Sequence, residues 1–224
     1  MKKDILENNN FFTITENSIK KVNYIIDNME NKSFHNHYHI LYDICESLDH
    51  NNISYLEIGT FAGGSASLVS TNSKVKNVYS IDLGSPINKE IPIRNVNKFK
   101  NKQCSYEYFQ GSSFDKNLIS LVKKTVKSVD ILFIDGDHSY EGVLNDFKNF
   151  SDLVKPGGYI VFDDYMDNIY SPKVKGAVDY IVLELLNNEY EIIGSLVYPE
   201  LSLTNIDKPS SNEFVLKKIK YNYD

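Results

Sequence analysis

Residues 129–142 read VDILFIDGDHSYEG, and residues 158–165 read GYIVFDDY. In each stretch a short apolar run ends abruptly in acidic residues: Asp135 and Asp137 in the first, Asp163 and Asp164 in the second. A brief apolar run bounded by turn residues fits a strand buried on both faces, as in a parallel sheet covered by helices. The acidic residues then fall at the carboxyl ends of the strands, where open α/β sheets bind ligands. Helical spacing over 140–153 lies between the two runs, and Pro156-Gly157-Gly158 is expected as a tight turn entering the second strand. Strand, helix and strand in that order make a parallel unit with a right-handed crossover.

The same alternation extends in both directions. Upstream, strands are predicted at 53–58, 77–81 and 105–109, with helices at 64–73, 90–101 and 115–126. Downstream, a helix is predicted at 173–187, followed by strands at 190–197 and 213–220 with no helix between them. A final pair lacking a helical crossover can be antiparallel. The whole reads as a doubly wound α/β sheet with helices on both faces. Two amphipathic helices precede it, at 15–30 (Ile19, Val22, Ile25, Ile26, Met29) and 38–49 (Ile40, Leu41, Ile44, Leu48), behind a loose arm at 1–12. Residues 1–50 are therefore expected to be a lid or flank of the same domain, whose main body spans 51–224.

Composition narrows the function. The chain has 224 residues, 42% of them hydrophobic and 24% charged, which suits one globular domain and argues against a disordered or membrane-embedded chain. The net charge of −6 disfavours nucleic acid and anionic lipid as partners. Arg94 is the sole arginine, which excludes a site built from several guanidinium clamps. Cys45 and Cys104 form no CxxC pair and read as free thiols of a reducing compartment. No signal-like apolar segment opens the chain, and no run reaches the ~18 apolar residues of a membrane span. A cytoplasmic protein is expected.

Four segments carry candidate chemistry. Residues 57–65 (EIGTFAGGS) follow a strand and open a helix, so glycines let backbone N–H groups approach a ligand, or simply make the turn. The segment matches neither GxGxxG nor the phosphate loop GxxxxGK[ST]. Asp82 ends the second strand, roughly 20 residues on, where a carboxylate can accept ribose hydroxyls. After the third strand, Gly111 permits a turn, Ser112 and Ser113 could bond an adenine edge, and Phe114 could cover its face; Ser113 or Asp115 could equally cap the helix at 115–126. Asp135, Asp163 and Asp164 could converge, and three carboxylates repel unless they hold a cation or protons. All-oxygen donors suit Mg²⁺ or Mn²⁺ better than Zn²⁺. The alternating His35, His37 and His39 lead into a helix, where i and i+2 diverge, so capping or reach toward a substrate fits them better than metal binding. Tyr140, Tyr165 and Tyr170 lie near the expected cleft, to stack on an acceptor or simply to pack.

Taken together, EIGTFAGGSA, SIDLGS, QGSSFD, ILFIDGDHSYEG and VKPGGYIVFDDY resemble the class I S-adenosylmethionine-dependent methyltransferases. The similarity is strongest to the branch of macrolide and aminocoumarin sugar O-methyltransferases and cephalosporin-hydroxylase-like proteins, and covers about residues 52–165. The resemblance implies a seven-stranded sheet of order 3-2-1-4-5-7-6 with the last strand antiparallel. It implies that Glu57, Gly59, Thr60, Phe61, Gly63 and Ser65 line the methionine and ribose part of the cofactor site, with Asp82 on the ribose. Gly111, Ser112 and Ser113 would lie by the adenine, and Asp135 would border the cofactor while sharing a divalent cation with Asp163 and Asp164. Either Asp137 or His138 would be the base. The implied activity is metal-assisted methyl transfer to a hydroxyl of a sugar, nucleotide-sugar or other small diol, by an enzyme that could self-associate through its N-terminal arm. A small phenol is the alternative acceptor. An NAD-dependent oxidoreductase and a catalytically silent cofactor-binding scaffold are the rival readings; the missing GxGxxG weighs against the first, and the clustered acids against the second.

Overall fold

The computed structural model describes residues 16–32, 38–186, 188–196 and 213–219. The N-terminal arm at 1–12, His35, His37 and the loop at 197–212 lie outside the described residues. Seven strands form one sheet: β1 (Ile53–Ile58), β2 (Val75–Asp82), β3 (Ser105–Gln110), β4 (Val129–Ile134), β5 (Val154–Phe162), β6 (Tyr190–Leu196) and β7 (Glu213–Lys218). Their order is β3-β2-β1-β4-β5-β7-β6, with β7 antiparallel to both of its neighbours. This is the order implied by the resemblance. The helices are α1 (Glu16–Asn28), α2 (His39–Ser47), α3 (Gly64–Ser70), α4 (Glu90–Phe99), α5 (Lys116–Val126), α6 (Tyr140–Phe150) and α7 (Val174–Tyr180).

Side-chain alternation along the strands divides the core into two layers. Tyr55, Phe133, Val161 and Val215 face one layer, while Leu56, Leu132, Ile160 and Phe214 face the other. The first layer also takes Val22 and Ile25 from α1 and Ile40, Leu41 and Ile44 from α2, all buried. The second is closed by Val122 and Val126 of α5, Phe147 and Phe150 of α6, and Val178 of α7. β1 and β4 are buried along their whole length, which is why they appear in the sequence as nearly continuous apolar runs.

Three expectations are corrected. Pro156-Gly157-Gly158 is not a turn ahead of β5 but lies within it, because the ladder to β4 slips between Val129 and Ile131 and Gly157 takes a φ of +87°. Such a bulge keeps the chain in the sheet while absorbing residues that read as punctuation. The helix expected at 140–153 ends at Phe150 and passes into a 3₁₀ turn, Ser151–Leu153. The helix expected at 173–187 is α7 continued by a π turn, Ile181–Leu185. Among the described residues no helix is long and apolar enough to cross a membrane.

Candidate active site

The carboxyl ends of β1, β2, β3 and β4 surround a cavity of about 660 Å³, a volume within the range of ~300–1,000 Å³ usual for small-molecule sites. Gly59, Thr60 and Phe61 form one wall. They are fastened to Asp82, whose Oδ2 accepts from the backbone N–H of Thr60 (2.8 Å) and Phe61 (2.9 Å). Its Oδ1 accepts from Gly84 N–H at 2.7 Å and from the Tyr108 hydroxyl at a long 3.4 Å. Asp82 also lines the cavity, with Leu83 and Ser85 beyond it. On the far side stand Gly111, Ser112, Ser113 and Phe114. Of the two candidate caps for α5, Asp115 fills the role, accepting from Asn117 and Leu118 N–H. Ser113 instead turns its carbonyl to the side-chain amides of Asn145 and Asn149.

Glu57, Gly63 and Ser65 do not line this cavity. Glu57 is fully buried beneath the loop, where its carboxylate accepts from four hydroxyls: Tyr55 (2.9 Å), Thr60 (2.7 Å), Ser65 (2.6 Å) and Ser80 (2.8 Å). Burial raises its pKa, and those four donors oppose the rise. Glu57 and Ser65 thus brace the loop from below. Gly63 takes a φ of +80° and packs on Pro92.

The fourth wall holds Asp135, Gly136, Asp137 and His138. Asp135 accepts at Oδ2 from the Tyr38 hydroxyl, 3.1 Å away, and its Oδ1 lies 3.2 Å from His138 Nε2. His138 Nδ1 lies 2.7 Å from Ser171 Oγ and 3.4 Å from Asp164 Oδ2. Ser171 donates to Asp164 Oδ2 at 2.6 Å. Asp137 accepts at Oδ1 from Ser139 N–H, in the turn where Ser139 caps α6. Burial, then the charges of Asp135, Asp163 and Glu57, hold the Tyr38 hydroxyl well above its ordinary pKa, so it stays a donor.

The three aspartates expected to hold a cation do not form that set. Among the described residues no group of three or more His, Cys, Asp or Glu side chains is arranged to hold a metal ion. The imidazole of His138 stands between Asp135 and Asp164, while Asp163 and Asp164 are buried behind the cavity wall. His39 is buried at the start of α2. Sequence reasoning missed Tyr38 and Ser171, which touch the site from distant segments. Tyr38 sits inside HNHYH, where histidines draw the eye, and no periodicity marks Ser171.

Comparison with known proteins defines the class. A family model described as a methyltransferase domain matches residues 56–165. The sheet order and the cavity at its carboxyl edge agree with that match: residues 56–165 belong to a methyltransferase domain, and the sheet has the class I methyltransferase fold. An uncharacterized protein of Acanthamoeba polyphaga mimivirus is 37% identical over 211 residues, covering 89% of this chain and 95% of its own. The structure of an O-methyltransferase from Bacillus cereus in complex with S-adenosylhomocysteine superposes with a TM-score of 0.60 at 17% identity, covering 97% of this chain and 94% of the other. An rRNA methylase from Streptococcus thermophilus superposes with a TM-score of 0.54 at 13% identity, covering 81% and 96%. At such identities the likeness is one of fold, and a fold common to both activities does not choose the acceptor.

Proposed function

We propose that the enzyme methylates a hydroxyl of a small polar metabolite, a sugar or nucleotide-sugar before a phenol, with His138 as general base. The observation that carries this reading is the fixing of the His138 ring at the cavity edge, held at Nδ1 by Ser171 and facing Asp135 through Nε2. S-adenosylmethionine, when bound, supplies an electrophilic methyl group on a sulfonium. Its ribose fits against Asp82, where a ribose hydroxyl would replace the long contact to Tyr108. Its adenine fits between Ser112, Ser113 and Phe114.

The protein's remaining tasks are orientation and proton removal. An alcohol is a poor nucleophile until its proton leaves, and a positioned base contributes about 10²–10⁴-fold. Asp135 and Asp164 flank the ring, 3.2 Å from Nε2 and 3.4 Å from Nδ1. Asp137, the other candidate base, has one carboxylate oxygen engaged in the turn that opens α6. Asp135 and Asp164 are engaged instead with His138 and Ser171.

Support for a small acceptor rather than nucleic acid comes from charge. The net charge is −6, and Arg94 is paired with Glu30 at 2.7 Å. Cys45 and Cys104 are free and buried, as suits a cytoplasmic protein. Self-association is read directly by light scattering.

The test is methyl transfer to a panel of sugars, nucleotide-sugars and phenols, followed by mass spectrometry with and without EDTA. A methylated sugar formed equally under both conditions is expected, with His138→Gln reducing turnover about 10²-fold or more. Strict dependence on Mg²⁺ would restore the aspartates as metal ligands. Loss of turnover in Asp137→Asn but not in His138→Gln would move the base to Asp137.

A further inference from the structure

We infer that Tyr38 and Ser171 are positioning residues that set the orientation of His138 from opposite ends of one hydrogen-bonded chain. The inference deepens the reading of His138 as base and rests on it. Ser171 is buried at 1% exposure and has a single hydroxyl proton. It donates to Asp164 Oδ2, 2.6 Å away. The same hydroxyl oxygen lies 2.7 Å from His138 Nδ1 and fixes that edge of the ring.

Nε2 faces Asp135 Oδ1 at 3.2 Å. The other oxygen of Asp135 is held by the Tyr38 hydroxyl at 3.1 Å. The Tyr38 ring is itself fixed, edge-on to Phe133 with centroids 5.8 Å apart and planes at 85°. Phe133 belongs to β4, the strand that delivers Asp135. Asp164 reaches Ser171 from a backbone φ of +56°, a left-handed conformation uncommon outside glycine. Strain of this kind persists where surrounding contacts hold it and clusters at functional sites. The segment before α7 therefore reaches the imidazole directly and the segment before α2 reaches it through Asp135, although neither belongs to the loop that carries it.

The test combines kinetics with ¹⁵N NMR of the histidine ring nitrogens, His138 being assigned by its loss in His138→Gln. Tyr38→Phe and Ser171→Ala should each lower kcat about tenfold or more, with KM for acceptor and cofactor within about twofold of wild type. Ser171→Ala should shift the His138 Nδ1 resonance, and Ser171→Thr, which keeps the hydroxyl, should restore both turnover and shift. Unchanged kcat in both variants, with unchanged ring resonances, would overturn the inference. If wild type methylates no acceptor, the proposed activity falls, yet the resonances still decide the positioning. A shift of Nδ1 in Ser171→Ala alone then supports it, and an unmoved Nδ1 overturns it.

Discussion

Gly59 has a φ of +88°, and a Cβ built there would fall 1.8 Å from the carbonyl oxygen of Asp135. The glycine thus lets the tip of β1 touch the tip of β4, bringing the loop at 59–61 against the acid–histidine wall. For Gly59→Ala the backbone alone costs about 1–2 kcal/mol, and the clash forces the two tips apart. The expected result is a lower Tm together with loss of S-adenosylhomocysteine binding by calorimetry. Asp146 makes a different prediction. It is fully buried on α6, its Oδ2 has no hydrogen-bond partner among the described residues, and burial raises its pKa from 3.8 to about 6 against the help of Ser113 and Asn145. The fold therefore favours the protonated form. Its contribution to stability is full below about pH 4 and is lost as pH rises through about 6. The loss is on the order of 3 kcal/mol, taking 1.36 kcal/mol per pKa unit. Asp146→Asn should flatten that fall, so urea unfolding at pH 5 and pH 8 should show a smaller difference for the variant than for wild type.

Contacts between elements depend on a few buried polar side chains. Asn95, on α4, donates to the carbonyls of Glu30 (2.9 Å) and Ala62 (2.8 Å) and accepts from Glu30 N–H (2.8 Å). One amide therefore ties the segment after α1 to the loop between β1 and α3. The neighbouring Arg94–Glu30 pair is solvent-exposed and adds little. Asn95→Ala leaves buried backbone groups unpaired at about 1–3 kcal/mol each. It should lower urea stability and raise the Kd for S-adenosylhomocysteine together, whereas Arg94→Ala should change neither appreciably. Element positions were legible in the sequence because β1, β4 and the second half of β5 carry short, mostly apolar runs and the crossovers have helical spacing. Boundaries were less so. The bulge at Gly157 and the π turn after α7 arise from pairing across the sheet and packing beneath it, which local composition does not encode.

The described fold has two buried layers on one mixed sheet and a crevice at the carboxyl edge of its parallel strands. That crevice was also foreseeable. Gly59, Thr60, Phe61, Asp82, Gly111, Ser112, Ser113, Asp135, Asp137 and His138 all line it. The arrangement of the acids was not. Sequence shows three aspartates at strand ends but hides what offsets them, because the compensating groups come from elsewhere: Tyr38 lies 97 residues from Asp135, and Ser171 lies 33 from His138. Glu57 likewise read as a cofactor contact, although the four hydroxyls that engage it turn it inward. The central claim is that the loop at 59–61 and Asp82 receive an adenosyl ligand beside His138. A crystal structure with S-adenosylhomocysteine tests it most directly. The expected density places the ribose hydroxyls on Asp82, the adenine by Ser112 and Ser113, and the sulfur facing the His138 wall. A ligand seated elsewhere on the protein, with this crevice left to solvent, would contradict the claim.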